Sequence, residues 1–149
     1  MKLITLVAAA ALGTAQSQDT DWVVVSESDQ SIHAVERMEL MGDEIVTVWS
    51  VTLYKDPEPH VSGRDTEYIL MRHRFDCDRM TALITDATFY FTDGTNHSAD
   101  LDPNDVRNIP PGTTGAATAK RSCQRDFEGL TSFPTVKALQ EAWEAVRPD

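Results

Sequence analysis

Apolar and polar residues alternate along much of the chain after residue 20, which is the pattern of β-strands that bury one face. The clearest run covers residues 45–54, where both the odd-numbered and the even-numbered positions are largely apolar or β-branched. A strand with two such faces is expected in the centre of a sheet. The other predicted strands cover residues 22–25, 32–40, 67–75 and 80–91, with a weaker one at 98–101.

Short polar segments separate these strands. Asp-Pro-Glu-Pro at residues 56–59 is expected to end the central strand, because proline cannot donate a hydrogen bond to a sheet, and to open a loop that runs to residues 63–64. Tight turns are predicted at residues 76–79 and at the Asp-Gly pair of residues 93–94. Strands joined by such turns pair antiparallel, since parallel neighbours need a crossover of about a dozen residues or more.

Two helices are predicted after the strands. An alanine-rich segment at residues 114–122 follows a Pro-Pro-Gly turn, and Thr113 or Thr114 can cap its free N–H groups. A second helix is expected to start at residues 132–134 and to run to residue 146. Its apolar stripe consists of Val136, Leu139, Trp143 and Val146.

The beginning of the chain has the pattern of a cleavable signal peptide. Lys2 precedes an apolar run at residues 3–12, and small residues at 13–15 lead into a polar segment. Cleavage is expected after Ala15, which leaves residues 16–149 as one domain. The apolar run is about half of the roughly 20 residues that cross a bilayer as a helix, so no stable membrane insertion is expected. We expect a periplasmic or secreted protein, without a cysteine for lipidation near the cleavage position.

The chain is strongly acidic. Its formal net charge of −11 becomes −12 when Lys2 leaves with the signal peptide. A negative field over a small domain disfavours nucleic acid, heparin-like polymers and anionic lipid as partners. Such a charge also keeps many exported proteins soluble, so by itself it does not identify a partner.

Cys77 and Cys123 are the two cysteines. In an oxidising compartment a single pair has one intramolecular connectivity, so a disulfide is predicted between them. The alternative, a reactive or metal-binding pair, needs partner ligands that the sequence does not offer. The disulfide would tether the first helix to the turn at Cys77. The predicted fold class is α+β: an antiparallel, meander-like sheet of about five or six strands, a disulfide-tethered helix and an extra C-terminal helix.

Catalytic and metal-binding patterns are weak. Asp93, His97 and Ser98 form a close grouping of triad residue types, but residues packed into six consecutive positions are not expected to align. The four histidines lack the short spacings with which one element supplies two metal ligands: His33, His60, His73 and His97. Among them, His73 is the candidate for a binding face, because its neighbours on the same strand face are apolar. No catalytic residue, metal site or cofactor is predicted.

Residues 100–104 imitate the opening of a calcium-binding loop through Asp100, Asp102 and Asn104. The sixth position is Asp105 rather than glycine, and the twelfth is Pro111 rather than glutamate. A solvated turn is therefore favoured, with weak adventitious calcium binding as the alternative.

The turn at Cys77 also carries a family resemblance. The chain resembles the bacterial surface-adhesin protein E family over about 100 residues, at a series of short motifs. The matching residues are Asp21-Trp22, Val48-Trp49, Leu53-Tyr54, Phe75-Asp76-Cys77 with Arg79, the run from Phe89 to Gly94, Pro111-Gly112-Thr113 and Cys123. The resemblance implies an antiparallel sheet with a helix tethered by a disulfide between Cys77 and Cys123.

The family is known for an adhesin that binds host matrix proteins and has a haem-binding capacity as a dimer, but no ligand residue transfers to this chain. Two departures stand out: this chain has no cysteine for lipid, and residues 124–149 extend beyond the second cysteine, where family members usually stop. The extension is expected to cover a face of the sheet, with a partner contact as the alternative.

These observations predict a non-enzymatic, adhesin-like exported binding module. Its partner is expected to be an unknown protein or a small apolar ligand, and a homodimer is compatible with this role. A periplasmic accessory or inhibitor protein acting on an envelope enzyme is the alternative. A binding module predicts an exposed apolar patch, whereas an enzyme predicts a deep polar pocket with titratable groups of shifted pKa.

Overall fold

The computed structural model describes residues 21–36 and 44–146. The predicted signal peptide at residues 1–15 and the end of the strand predicted at 32–40 lie outside the described residues. Within the described ranges, no helix is long and apolar enough to cross a membrane.

One antiparallel sheet forms the centre of the fold. Its strands are β1 (Trp22–Glu27), β2 (Ser31–Glu36), β3 (Ile45–Pro59), β4 (Asp65–Asp76), β5 (Thr81–Phe91), β6 (Asn96–Ser98), β7 (Arg107–Asn108) and β8 (Ser132–Phe133). The helices are α1 (Thr114–Gln124) and α2 (Val136–Val146). Strands β1 to β6 lie side by side in chain order, with β8 added next to β1 and β7 paired with β5. The predicted α+β class and the antiparallel meander are confirmed.

Within the part of the chain that the structure describes, the sheet is larger than predicted, with eight strands instead of five or six. The additional strands β7 and β8 have two residues each, which is too short to show an alternating pattern in the sequence. β8 pairs with Trp22 and Val23, and β7 pairs with Thr81 and Ala82. The weak return strand predicted at 98–101 is present as β6, two residues earlier.

The prediction that the Asp-Pro-Glu-Pro segment ends the central strand is wrong. β3 continues through both prolines to Pro59, which pairs with Asp65 of β4 after a register shift between Leu53 and Glu58. On its other side, β3 pairs with β2 only as far as Tyr54. The prolines therefore lie where one edge of β3 is open, and the missing N–H group removes no hydrogen bond from the sheet.

The two helices cover opposite faces of the sheet. Ala119 of α1 packs against Val46, Val48 and Phe75, and we call this side of the sheet the α1 face. The other side, the α2 face, places Val51 and Leu53 of β3 in one cluster with the helix residues Leu139 and Trp143. Because alternate residues of β3 point to opposite sides, one strand supplies both clusters. This explains why its sequence is apolar at both sets of positions.

Helix α2 confirms that the C-terminal extension covers a face of the sheet. Leu139 and Trp143 are buried and contact the same cluster as Trp22 and Val51. Two details differ from the prediction. The helix begins at Val136, because residues 132–133 pair with β1 instead, and Val146 is 68% exposed rather than part of the buried stripe.

Candidate functional site

The predicted tether is present: Cys77 and Cys123 form a disulfide, with their Cα atoms 5.7 Å apart. Cys77 follows β4 directly, and Cys123 lies in the last turn of α1. At the other end of the helix, Thr113 is the N-cap, and its hydroxyl accepts a hydrogen bond of 3.1 Å from the N–H of Ala116. The covalent bond therefore fixes the C-terminal end of α1, whereas its first turn is held by noncovalent contacts alone.

An apolar groove of about 300 Å³ runs beside this first turn, between β5 and the segment that leads into α1. Its apolar lining consists of Phe75, Ala82, Ile84, Leu101, Ile109 and Pro110. Three of the exposed large apolar residues lie at or beside it. Ile84 lines the groove, Met80 accepts a backbone hydrogen bond from Ile109, and Val106 precedes the lining residue Arg107. Ile84 therefore adds exposed apolar surface to the groove, whereas Met80 and Val106 adjoin its lining through the backbone.

The rim of the apolar groove is polar and contains Asp102, Asp105 and Arg107. The guanidinium Nε of Arg107 donates to both carboxylate oxygens of Asp105 at 2.9 Å, and this hydrogen bonding holds the pKa of Asp105 below its ordinary value. Asp102 instead accepts a hydrogen bond of 2.9 Å from the backbone N–H of Asn104, so the calcium-like segment forms a local turn.

A second cavity, of about 290 Å³, lies under the first half of α1. His33 and His73 both line it, although they are 40 positions apart in the sequence. We call it the imidazole cavity. Nδ1 of His33 lies 2.8 Å from Oγ1 of Thr52, and Nε2 of His73 lies 2.8 Å from Oγ of Ser50. His73, Phe75 and Gly115 line both the cavity and the apolar groove.

Burial sets the protonation state of both histidines. Loss of solvation lowers the pKa of His33 to about 4, with a smaller contribution from the nearby His73. Loss of solvation also lowers the pKa of His73 to about 4. Both imidazoles are therefore neutral at neutral pH. The sequence pattern singles out His73 for a binding face, but nothing in it indicates that His33 lies near.

Ser50 and His73 are as close together as a catalytic nucleophile and its general base, but they lack the surroundings that such a pair needs for catalysis. Ser50 is completely buried within the sheet, so its hydroxyl cannot reach a substrate. Among the described residues, no carboxylate lines the imidazole cavity to orient His73. The pair is a structural hydrogen bond between a buried hydroxyl group and a half-buried imidazole.

The structure separates Asp93, His97 and Ser98. Asp93 lies in the turn after β5, where its carboxylate accepts a hydrogen bond of 2.8 Å from the N–H of Thr95. His97 and Ser98 are neighbours on β6, so their side chains point to opposite faces of the sheet. The hydroxyl of Ser98 contacts Thr88, whereas the ring of His97 lies near that of His60.

His60 and His97 form a second histidine pair, with ring centroids 5.8 Å apart. The ring of His60 also lies 4.7 Å from that of Phe89. Nδ1 of His60 accepts a hydrogen bond from the N–H of Ser62, whereas a metal-binding histidine normally donates from the nitrogen that does not bind the metal. No group of three or more metal-ligating side chains occurs in the described part of the chain.

The sequence of this disulfide-tethered sheet matches one known protein family. The profile of the surface-adhesin protein E family matches residues 22–124, which is more than half of the chain. The chain therefore belongs to the surface-adhesin protein E family. The matched region includes every strand from β1 to β7 and helix α1, and it ends before α2. Comparison with curated proteins and with solved structures finds no match.

Proposed function

We propose that the protein is a non-catalytic, adhesin-like binding module that acts in the periplasm or as a secreted protein, and that the apolar groove receives a partner protein. The observation that carries this proposal is the largely apolar lining of one open groove, which includes the exposed side chain of Ile84. An exposed apolar patch of this kind is typical of interaction surfaces. Membership of a surface-adhesin family supports the same role.

The chemistry of the groove defines the partner segment. The apolar floor suits one or two aliphatic or aromatic side chains, because its volume of about 300 Å³ is at the lower end of ligand sites. Asp102 is exposed on the rim, and the whole chain carries a net charge of −11. The partner segment is therefore apolar at its centre and basic at its flanks, so that opposite charges meet around the groove.

A displayed peptide library tests this proposal, because it offers many candidate partner segments to the groove at once. Peptides selected on the intact protein are expected to share an apolar residue flanked by Lys or Arg, and to shift the NMR signals of residues that line the groove. Ile84→Glu is expected to reduce their affinity at least tenfold, because it places a charge in the apolar site (about 1.4 kcal/mol for a factor of ten).

Val61→Glu is the matched control. Val61 is fully exposed at the turn between β3 and β4, and it does not line the groove. This variant is expected to bind the selected peptides as the unmodified protein does. Peptides without a basic bias, or an Ile84→Glu variant that is folded and binds normally, would contradict the proposed surface.

A further inference from the structure

The imidazole cavity is separate from the proposed partner surface over most of its lining, and its chemistry is different. Six hydroxyl-bearing residues line it beside the two histidines: Ser26, Ser28, Ser31, Thr52, Thr114 and Thr118. Met71 and Phe75 add an apolar surface. The cavity therefore combines hydrogen-bonding groups on one part of its wall with carbon atoms on another, which is the composition of a site for a small organic molecule.

One ring nitrogen of each histidine is available to such a molecule. Within the described residues, the hydrogen bonds of His33 and His73 use Nδ1 and Nε2, respectively. Nε2 of His33 and Nδ1 of His73 have no hydrogen-bond partner there, and neither atom is among the buried side-chain atoms without a partner. Both atoms thus retain some solvent accessibility, and both rings line the same cavity. His33 is only 7% exposed, so its free nitrogen is held in place by the surrounding protein.

The described lining of the imidazole cavity lacks the negative charge that the chain as a whole carries. The chain has 24 acidic residues, yet within its described part no Asp or Glu side chain, and no Lys or Arg side chain, lines this cavity. Among the described residues that line it from β1 to β4 and from α1, the two histidines are the titratable groups. Thr114 and Gly115 belong to the first turn of α1, which contributes partial positive charge and free N–H groups at this end of the helix.

From this geometry we infer that the imidazole cavity is a binding site for a small organic carboxylate, which is bound together with a proton taken up by the histidine pair. The carboxylate accepts hydrogen bonds from the free nitrogens and from hydroxyl groups, and its carbon skeleton contacts Met71 and Phe75. Uptake of a proton is favoured in the complex because the negative charge compensates the imidazolium that burial disfavours in the empty protein.

Proton uptake gives this site a characteristic pH dependence. Above about pH 4 the histidines of the empty protein are neutral, whereas simple carboxylates are ionised above about pH 5. Between about pH 7 and 5, each proton taken up increases the affinity up to about tenfold for each unit by which the pH falls. A site that binds through hydroxyl groups or apolar contact alone has no such dependence.

Calorimetric titration of the full protein with benzoate and with butyrate tests the inference. Binding is expected to be tighter at about pH 5 than at pH 7, with a proton uptake of about one measured in buffers of different ionisation enthalpy. Benzamide, which has the same skeleton as benzoate without its charge, is expected to bind at least tenfold more weakly. Equal binding of both compounds, binding of inorganic phosphate instead, or no binding of any carboxylate would overturn the inference.

Matched variants locate the site. His33→Gln and His73→Gln keep a hydrogen-bonding group but remove the proton acceptor, so the pH dependence of benzoate affinity is expected to fall or vanish. His60→Gln and His97→Gln, at the other histidine pair, are expected to retain it. Leu101→Gln, which changes a residue that lines the apolar groove but not the imidazole cavity, is expected to weaken binding of the selected peptides and to retain this pH dependence, so that the two proposals can fail separately.

The unmodified protein provides an independent measurement in case a cavity variant does not fold. NMR titration of the histidine side chains is expected to show that saturating benzoate raises the pKa of His33 or His73 from about 4 by at least two units, which corresponds to a hundredfold change in proton affinity. Unchanged titration of both rings at saturation would overturn the inference.

Discussion

The disulfide between Cys77 and Cys123 fixes only the C-terminal end of α1, while the first turn of the helix lies over His33 and His73. The helix therefore has two different attachments to the sheet. The covalent one lies next to the apolar contacts of Ala119 with Val46 and Val48. The noncovalent one lies at the first turn of α1, beside a cavity that hydroxyl-bearing residues and two imidazoles line. The stability of the fold and the chemistry of the cavity thus depend on different ends of one helix.

Removal of the disulfide is expected to destabilise the protein strongly. The bond closes a loop with a sequence separation of 46 residues, for which the chain-entropy estimate is about 4 kcal/mol. The double variant Cys77→Ala, Cys123→Ala should lose about this free energy of unfolding in urea denaturation. The unmodified protein with its disulfide reduced serves as the control and should show the same loss. An unchanged midpoint in both would show that noncovalent packing alone fixes α1.

Acidification is expected to destabilise the protein through the buried histidines. Their pKa of about 4 lies below the ordinary value of 6.5, so the unfolded chain binds more protons than the folded one in this range. Their contribution to stability is complete above about pH 6.5 and decreases as the pH falls towards 4, by up to about 3 kcal/mol for each histidine. Urea denaturation at several pH values measures this slope.

The variant His33→Gln distinguishes this effect from the titration of the many carboxylates. It is expected to be less stable than the unmodified protein at neutral pH, but to lose less stability between about pH 6.5 and 4. His97→Gln changes an exposed histidine and should keep the full slope. A slope that is identical in the His33→Gln variant would contradict the assignment.

The C-terminal helix is expected to be essential to the folded domain, although it lies outside the region that matches the family. Trp143 is 4% exposed and contacts the cluster that contains Trp22 and Leu53. Trp143→Ala should therefore lower the free energy of unfolding by about 3–5 kcal/mol. Val146→Ala, at the exposed end of the same helix, should change it by less than about 0.5 kcal/mol. A Trp143→Ala variant of normal stability would show that α2 is dispensable.

Much of the sheet can be predicted from local pattern. Alternation identifies β3, β4 and β5 because each extends over ten positions or more, which is long enough for the period of two to be visible. The two-residue strands β7 and β8 have no readable period, and they form only because tertiary contacts bring them to the edges of β5 and β1. The prediction from the prolines of β3 fails for a related reason. A missing N–H group weakens the sheet only where a neighbouring strand would accept its hydrogen bond, and the local sequence does not show where that strand ends.

The sequence by itself determined the antiparallel meander, the two helices and the single possible pairing of its cysteines. Each of these follows from local side-chain periodicity, from short turns or from a count of residues. Only the tertiary structure decided that α1 and α2 cover opposite faces, and that His33 and His73 line one cavity beneath α1. The register of β2 against β3 and of β3 against β4 places these two histidines on the same face, and register is a property of the whole sheet.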